Sequence, residues 1–351
     1  MGRFLEKEPR HSLPIFVSLG MVILDELRFP HRKPLFDILG GSGLYATLGA
    51  RLFKPAYHSA EVGSIVMAGY DFPDPVTSLL QSWTMSLHIQ PCPDKPSTRG
   101  LLQYEDDAFG KKSFACTTPP LQPLPADLAS SSLLRAQSFH FLARPGDLER
   151  NTAALLRLRQ EQGIIEQPLL VWEPAPLGCD SANRAGHLKA CKLVDVFSPN
   201  HLELGYLIEG KGEAEPMFSR ETIETQARIF LDSGVGRDGE GLVVIRSGEH
   251  GVFYLSKSKA EWLPPYYDRG SNKVIDPTGA GNAFLGAFTV SFQETRDPRQ
   301  ACIYGSVAAS YAIEQFGPAK LTPASRSSAE RWNGTDVISR VQEFMPRIPN
   351  P

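Results

Sequence analysis

Apolar positions along the chain gather into short, almost continuous runs separated by glycine, proline and polar stretches, the pattern of strands buried on both faces. The first run, residues 14–24 (Pro-Ile-Phe-Val-Ser-Leu-Gly-Met-Val-Ile-Leu), predicts a buried strand broken by a glycine. Residues 138–142, 169–174, 194–200 and 241–246 repeat the pattern, and the amphipathic stretch 148–162 predicts a helix between the first two. Such alternation builds βαβ units around a parallel sheet covered on both faces. Two glycine-rich loops run directly into apolar, small-residue helices: residues 37–43 into 44–53, and Asp276-Pro277-Thr278-Gly279-Ala280-Gly281-Asn282 into 283–288. Residues 91–125 hold seven prolines among short Thr-, Tyr- and Phe-containing runs, which predicts a short-stranded lid rather than helix. The end of the chain, from 319 to 351, opens with a Ser/Ala/Arg-rich loop, then predicts one amphipathic helix near 335–344 and a proline-rich terminus.

Composition narrows the function classes. A hydrophobic content of 42% with 21% charged residues is that of a soluble globular protein, and a net charge of −3 gives no bulk attraction to nucleic acid or to an anionic membrane, so neither is expected as a partner. No stretch approaches the ~18 apolar residues of a membrane span. The opening Met-Gly-Arg-Phe-Leu-Glu-Lys-Glu-Pro-Arg-His lacks the apolar core of a signal peptide, so a cytoplasmic location is expected. Cys92, Cys116, Cys179, Cys191 and Cys302 are scattered without paired spacing and read as ordinary thiols. His58, His88, His140, His187, His201 and His250 show no metal-ligand spacing and read as surface or packing residues.

Four segments offer chemistry, each with a plain structural alternative. The 276–288 segment would form an anion cradle, because free amides at a helix N-terminus and the positive end of its dipole favour phosphate; the alternative is a loop entering a core helix. Asp25, just after the first apolar run, would face a pocket or sit in a solvated turn. Asn200-His201-Leu202-Glu203 would orient water around Mg²⁺ or would simply cap a helix. Arg246-Ser247-Gly248-Glu249-His250-Gly251 would give a nucleotide access to the backbone or would be a tight hairpin. Ligands of open α/β sheets bind beyond the carboxyl ends of the strands, where these segments fall.

In order and spacing, the Gly40-Gly41 loop, Asn200-x-x-Glu203, Gly248-x-x-Gly251 and the 276–288 signature resemble the PfkB, or ribokinase-like, family of sugar and nucleoside kinases across roughly residues 15–318. The Asp-Pro-Thr-Gly-Ala-Gly-Asn-x-Phe-Leu-Gly version resembles that of fungal PfkB-like proteins associated with maintenance of the killer virus. The resemblance implies an α/β three-layer sandwich: a mostly parallel sheet with helices on both faces and a small β-rich lid from about 22–36 and 86–118. It assigns 14–318 to a kinase domain and 319–351 to a C-terminal extension. It also implies ATP, Mg²⁺, room for a monovalent cation, a small hydroxylated carbohydrate or nucleoside-like substrate, and dimerisation through the lid. By position, Asp25, Gly40, Gly41, Ser42 and Tyr45 would hold substrate; Asn200 and Glu203 would organise Mg²⁺ and phosphate, Glu203 as the metal residue. Arg246, Gly248 and Gly251 would contact ATP, Asp276 and Thr278 would sit at the cation loop, and Gly279, Ala280 and Gly281 would form the anion hole.

Two departures qualify the implied activity. Asn282 stands where the resemblance places the catalytic base, and an amide cannot take up a hydroxyl proton and remain neutral. Tyr45 stands where a compact asparagine is favoured, which alters the shape of the substrate pocket. The chain is therefore expected to be either a slow kinase or a pseudokinase serving as a nucleotide-binding scaffold, the latter suiting a role in virus-particle stability, and Asn282→Asp is expected to raise phosphotransfer.

Overall fold

The computed structural model describes residues 13–105, 112–212, 217–325 and 328–349. The chain opens with β1 (Phe16–Ser18), then β2 (Ile23–Arg28), β3 (Leu35–Gly40), α1 (Ser42–Leu52), β4 (Val62–Gly69), α2 (Asp74–Ser82), β5 (Ser86–Cys92), β6 (Arg99–Tyr104) and β7 (Lys112–Cys116). It continues with β8 (Ser138–Ala143), α3 (Pro145–Glu161), β9 (Leu169–Pro174), α4 (Arg184–Ala190), β10 (Val196–Phe197), α5 (His201–Glu209), α6 (Arg220–Asp232) and β11 (Leu242–Arg246). The last elements are β12 (Val252–Leu255), β13 (Ala260–Leu263), α7 (Ala280–Thr295), α8 (Pro298–Ala312), β14 (Leu321–Thr322), β15 (Arg331–Trp332) and α9 (Val337–Phe344).

The large sheet runs β13-β12-β11-β10-β9-β8-β1-β4-β5. From β11 to β5 every pairing is parallel, and β12 and β13 add antiparallel strands at one edge. Successive strand residues alternate between two cores, as a two-sided sheet requires. Phe16, Val171, Val196 and Val244 pack with Leu48 of α1, Phe288 of α7 and Val307 of α8. Val17, Trp172, Phe197 and Ile245 pack with Leu155 of α3, Leu207 of α5 and Phe230 of α6. The expected three-layer arrangement is thus present. Among the described residues, no helix is long and apolar enough to cross a membrane.

The second sheet, β3-β2-β6-β7, is the lid, and one of its pairings, β2 with β6, is parallel. Two sequence expectations change here. The apolar run 14–24 is divided between sheets: Leu19 N bonds His140 O at the end of β1, Gly20 turns the chain, and β2 belongs to the lid. Residues 86–92 pair with β4 along the whole of β5, so they form the rim of the large sheet rather than lid.

The segment after 318 is built into the core. Trp332 is buried edge-on against Trp83, with ring centroids 5.6 Å apart, and Phe344 is fully buried with α8. Arg340 of α9 lies 3.7 Å over the Tyr311 ring and pairs with Glu314 at 2.8 Å.

Helices α1 and α7 cross with their backbones in contact. A Cβ at Gly286 would lie 1.8 Å from Ala46 O, and one at Gly49 would lie 1.9 Å from Ala283 O. Backbone cannot yield as a side-chain tip does, so Gly286→Ala should force the helices apart and destabilise the protein by about 1–3 kcal/mol. Thermal unfolding should show a melting temperature several degrees lower; an unchanged value would mean that the crossing is not a constraint.

Candidate active site

The alternation that sorts apolar residues also sets a polar row beneath α7. Val17, Phe139, Trp172 and Ile245 point into the opposite core. Their successors Ser18, His140, Glu173 and Arg246 therefore share the α7 side, three of them at or near the carboxyl ends of β1, β9 and β11 and His140 midway along β8. All four are buried. Gly20 N donates to Ser18 Oγ (3.0 Å), Ser18 Oγ meets His140 Nδ1 (2.9 Å), and His140 Nε2 meets Glu173 Oε2 (3.3 Å). Because a carboxylate only accepts, Nε2 carries the proton in its contact with Glu173. Glu173 Oε1 pairs with Arg246 at 2.8 Å, and Arg246 also donates to Ser198 O (2.9 Å) and faces Glu203 Oε2 at 3.6 Å.

Arg246 holds two carboxylates at unequal distance, and their chemistry diverges. Burial alone would push the Glu173 carboxyl up, but Arg246, His140 and the Asn282 amide together hold it below the ordinary carboxylate range. Burial raises Glu203 to about 7, Arg246 offsetting only part of the cost and Glu173 adding to it.

Asn200 and Glu203 realise the capping alternative fully: Asn200 Oδ1 accepts from Glu203 N (2.8 Å) and Glu203 Oε2 accepts from Asn200 N (2.7 Å). The cap nevertheless belongs to the site. Asn200 bridges Arg246 in parallel register, and Arg246 N donates to Pro199 O (3.2 Å), extending the β10–β11 pairing to the pocket.

The 276–282 turn arrives above this row. Gly279, at φ 78°, precedes α7, whose start has no side-chain cap and no acidic residue in its first turn. A Cβ at Gly279 would lie 2.2 Å from the Tyr45 ring, so the aromatic ring fixes the turn from the α1 side. Gly281 lies so close to Arg246 that a Cβ there would be 2.0 Å from its guanidinium nitrogen. Asn282 Nδ2 donates to Glu173 Oε2 at 2.5 Å. Ala280 and Gly281 also form one wall of a cavity of about 510 Å³ whose other walls include Gly248, Gly251, Tyr266 and Phe284. The 246–251 segment is thus both a turn between strands and a pocket wall.

On the lid side, Asp25 lies inside β2 rather than at a strand end. Its carboxylate fills the space that side chains at Gly40 or Gly100 would need, and its Oδ1 is buried without a hydrogen-bond partner among the described residues. Gly41 precedes α1, and Ser42 and Tyr45 are buried in that helix's first turns. Burial, with Asp276 and Asp25 nearby, pushes the Tyr45 phenol up and keeps it a donor. Lys112 of β7 reaches down to donate to Asp276 Oδ1 (3.1 Å) and to Thr278 Oγ. The two side chains offered by resemblance to a monovalent cation are therefore already engaged by a cation of the chain.

The predicted residues fall into three adjoining groups. Asn200, Glu203, Arg246, Gly281 and Asn282 meet at the strand ends. Gly248, Gly251, Ala280 and Gly281 line the cavity. Asp25 and Gly40 belong to strands of the lid, and Tyr45, Asp276 and Thr278 lie beneath it. Sequence reasoning missed Ser18, Glu173 and Lys112, and left His140 among the packing histidines. Glu173 carried a legible signal, as an acid ending an apolar strand before Pro174. Lys111, beside Lys112, lies outside the described residues.

Burial pushes the Asp25 carboxyl up to about 7, with Asp276 adding and Lys112 partly offsetting. A raised carboxyl favours the fold at low pH, and that advantage is lost as pH rises from the ordinary 3.8 through about 7. Asp25→Asn should therefore melt a few degrees above the wild type at pH 8, with the difference gone near pH 4. A variant melting below the wild type at pH 8 would show that the Lys112 attraction outweighs burial.

Residues 110–325 match the family described as pfkB family carbohydrate kinase. An uncharacterized protein of Schizosaccharomyces pombe is 30% identical over 94% of this chain and 92% of its own. Protein MAK32 of Saccharomyces cerevisiae is 28% identical over 97% of this chain and 94% of its own. The structure of ribokinase from Giardia lamblia superposes with a TM-score of 0.68 at 17% identity, covering 96% of this chain and 99% of that one, a likeness of fold. With its glycine-rich turn, strand-end polar row and β lid in one three-layer frame, the chain belongs to the pfkB family of carbohydrate kinases.

Proposed function

We propose that this protein transfers the γ-phosphoryl group of ATP to a hydroxyl of a small carbohydrate or nucleoside-like substrate, at a rate limited by Asn282. The observation that carries this is the meeting of an α7 N-terminus without a side-chain cap with the wall of the 510 Å³ cavity on one side and, on the other, the buried Asp25 carboxyl, whose Oδ1 has no hydrogen-bond partner among the described residues. The cavity, with Tyr266 and Phe284 in its walls, suits a nucleoside, and the Gly248 and Gly251 backbone gives its phosphates access to the amides at 279–281. Asp25 and the Gly40-Gly41-Ser42 turn would hold substrate hydroxyls, and the Tyr45 ring would shape the floor between them.

Glu203 is the residue that would hold Mg²⁺, through the ion's water shell: its buried carboxyl is only partly balanced by Arg246, which fits an added positive charge. When bound, Mg²⁺ neutralises charge on the phosphates. In the transfer, the substrate oxygen bonds to the γ-phosphorus as the bond to the ADP oxygen breaks. The α7 amides stabilise the charge that spreads over the phosphoryl oxygens. Asn282 can orient the hydroxyl but cannot accept its proton, which passes to water or to the transferred phosphate. Loss of a general base typically costs ~10²–10⁴ in rate.

A second function, a nucleotide-binding scaffold without turnover, is favoured by the same Asn282. Two measurements separate them. Thermal stabilisation by Mg-ATP is expected under both, and its absence would reject both. Release of ADP in the presence of a panel of sugars and nucleosides is expected below the ordinary kinase range of ~1–100 s⁻¹. No release above the substrate-free background with any acceptor would leave the scaffold, and a rate inside the ordinary range would remove Asn282 as a limit.

A further inference from the structure

The contact between Asn282 and Glu173 carries more than packing. Glu173 can only accept, so the 2.5 Å contact fixes the amide with Nδ2 turned toward the strand. The other amide atom, Oδ1, has no hydrogen-bond partner among the described residues. Glu173 is itself held from three sides: Arg246 of β11 on Oε1, His140 of β8 on Oε2, and Asn282 of α7 on the same oxygen. Glu203 and Cys179 also face it electrostatically.

We propose that Glu173 and Asn282 form a coupled pair, in which Glu173 is a positioning residue that locks the Asn282 carbonyl toward the cleft as acceptor for the attacking hydroxyl, and in which only one of the two positions can carry a carboxylate. The hydroxyl role rests on the phosphotransfer function above; the coupling itself rests on the geometry alone. Two carboxylates at hydrogen-bond distance cannot both ionise, so one must take up a proton or move away. Asn282→Asp therefore does not by itself place a base in the cleft, contrary to the expectation from sequence. The acid already present one strand away blocks it, and Glu173→Gln removes the block.

The test compares four full-length proteins: wild type, Glu173→Gln, Asn282→Asp and the double variant, each melted from pH 5 to pH 8.5. Asp25 and Glu203 titrate in all four, so only differences from the wild type count. In Asn282→Asp the new carboxyl has a raised folded-state pKa, so its penalty grows as pH rises. The expected result is a melting temperature about 5 °C or more below the wild type at pH 8, with the gap closing toward pH 5. The double variant should recover at least half of that gap and lose its pH dependence. The proposal is overturned if the Asn282→Asp deficit is equal at pH 5 and pH 8, or if the double variant's deficit is the sum of the single ones. Should Asn282→Asp fail to fold while the double variant folds, the pair is upheld. Should both fail while Asn282→Ala folds, Glu173 is not the obstacle and the pair is rejected.

ADP release from Mg-ATP over the same panel of sugars and nucleosides gives the second readout. It should rise at least tenfold over the wild type in the double variant and not in Asn282→Asp alone. A rise in Asn282→Asp alone rejects the block. Recovery in melting with no ADP release from any of the four proteins upholds the pair and rejects phosphotransfer.

Discussion

A guanidinium taken out of water must be answered by charge on the protein, and in this fold Arg246 sets the geometry of everything around it. It stands at the end of β11 with two buried carboxylates, one at 2.8 Å from β9 and one at 3.6 Å from α5. Removing one member of such a pair typically costs ~3–5 kcal/mol, because the partner is left as an uncompensated buried charge. The strands, the first turn of α5 and the start of α7 are thus held in one electrostatic frame. Its asymmetry also separates the two acids: Arg246 helps to hold the nearer one below the ordinary carboxylate range, whereas burial pushes the farther one up to about 7.

The lid is tied to the same frame from above. Lys112 is a lid residue, yet its ammonium bonds the carboxylate and hydroxyl of the 276–278 turn and lies 5.2 Å from the Tyr104 ring. Asp276 is almost completely enclosed, so this pair is far less screened than a surface one. The lid therefore rests on the loop that shapes the α7 N-terminus, and the Asp25 carboxyl feels both charges.

Much of the fold was legible because burial on two faces leaves strong traces. Runs such as Leu242–Arg246 admit little but a central strand, and the residues that end them lie where a parallel sheet gathers its ligands. Residues 14–24 misled because apolarity does not say which sheet a residue joins; Gly20 marked the break, and only three-dimensional pairing revealed two strands. The 86–92 and 319–349 segments were assigned by composition and by position, yet cross-strand pairing with β4 and the burial of Trp332 and Phe344 decide their places. At the site, Asn282 was visible as a departure from a motif. Its partner was not, since the contact spans 109 positions and no local pattern links them. Lys112 was hidden for the same reason, with 164 positions between it and Asp276.

The reciprocal bonds of Asn200 and Glu203 start α5 whatever happens in the cleft. A descendant of an active enzyme that had abandoned its reaction would still need both side chains to begin that helix. Their persistence is thus guaranteed by folding, and it is silent on turnover.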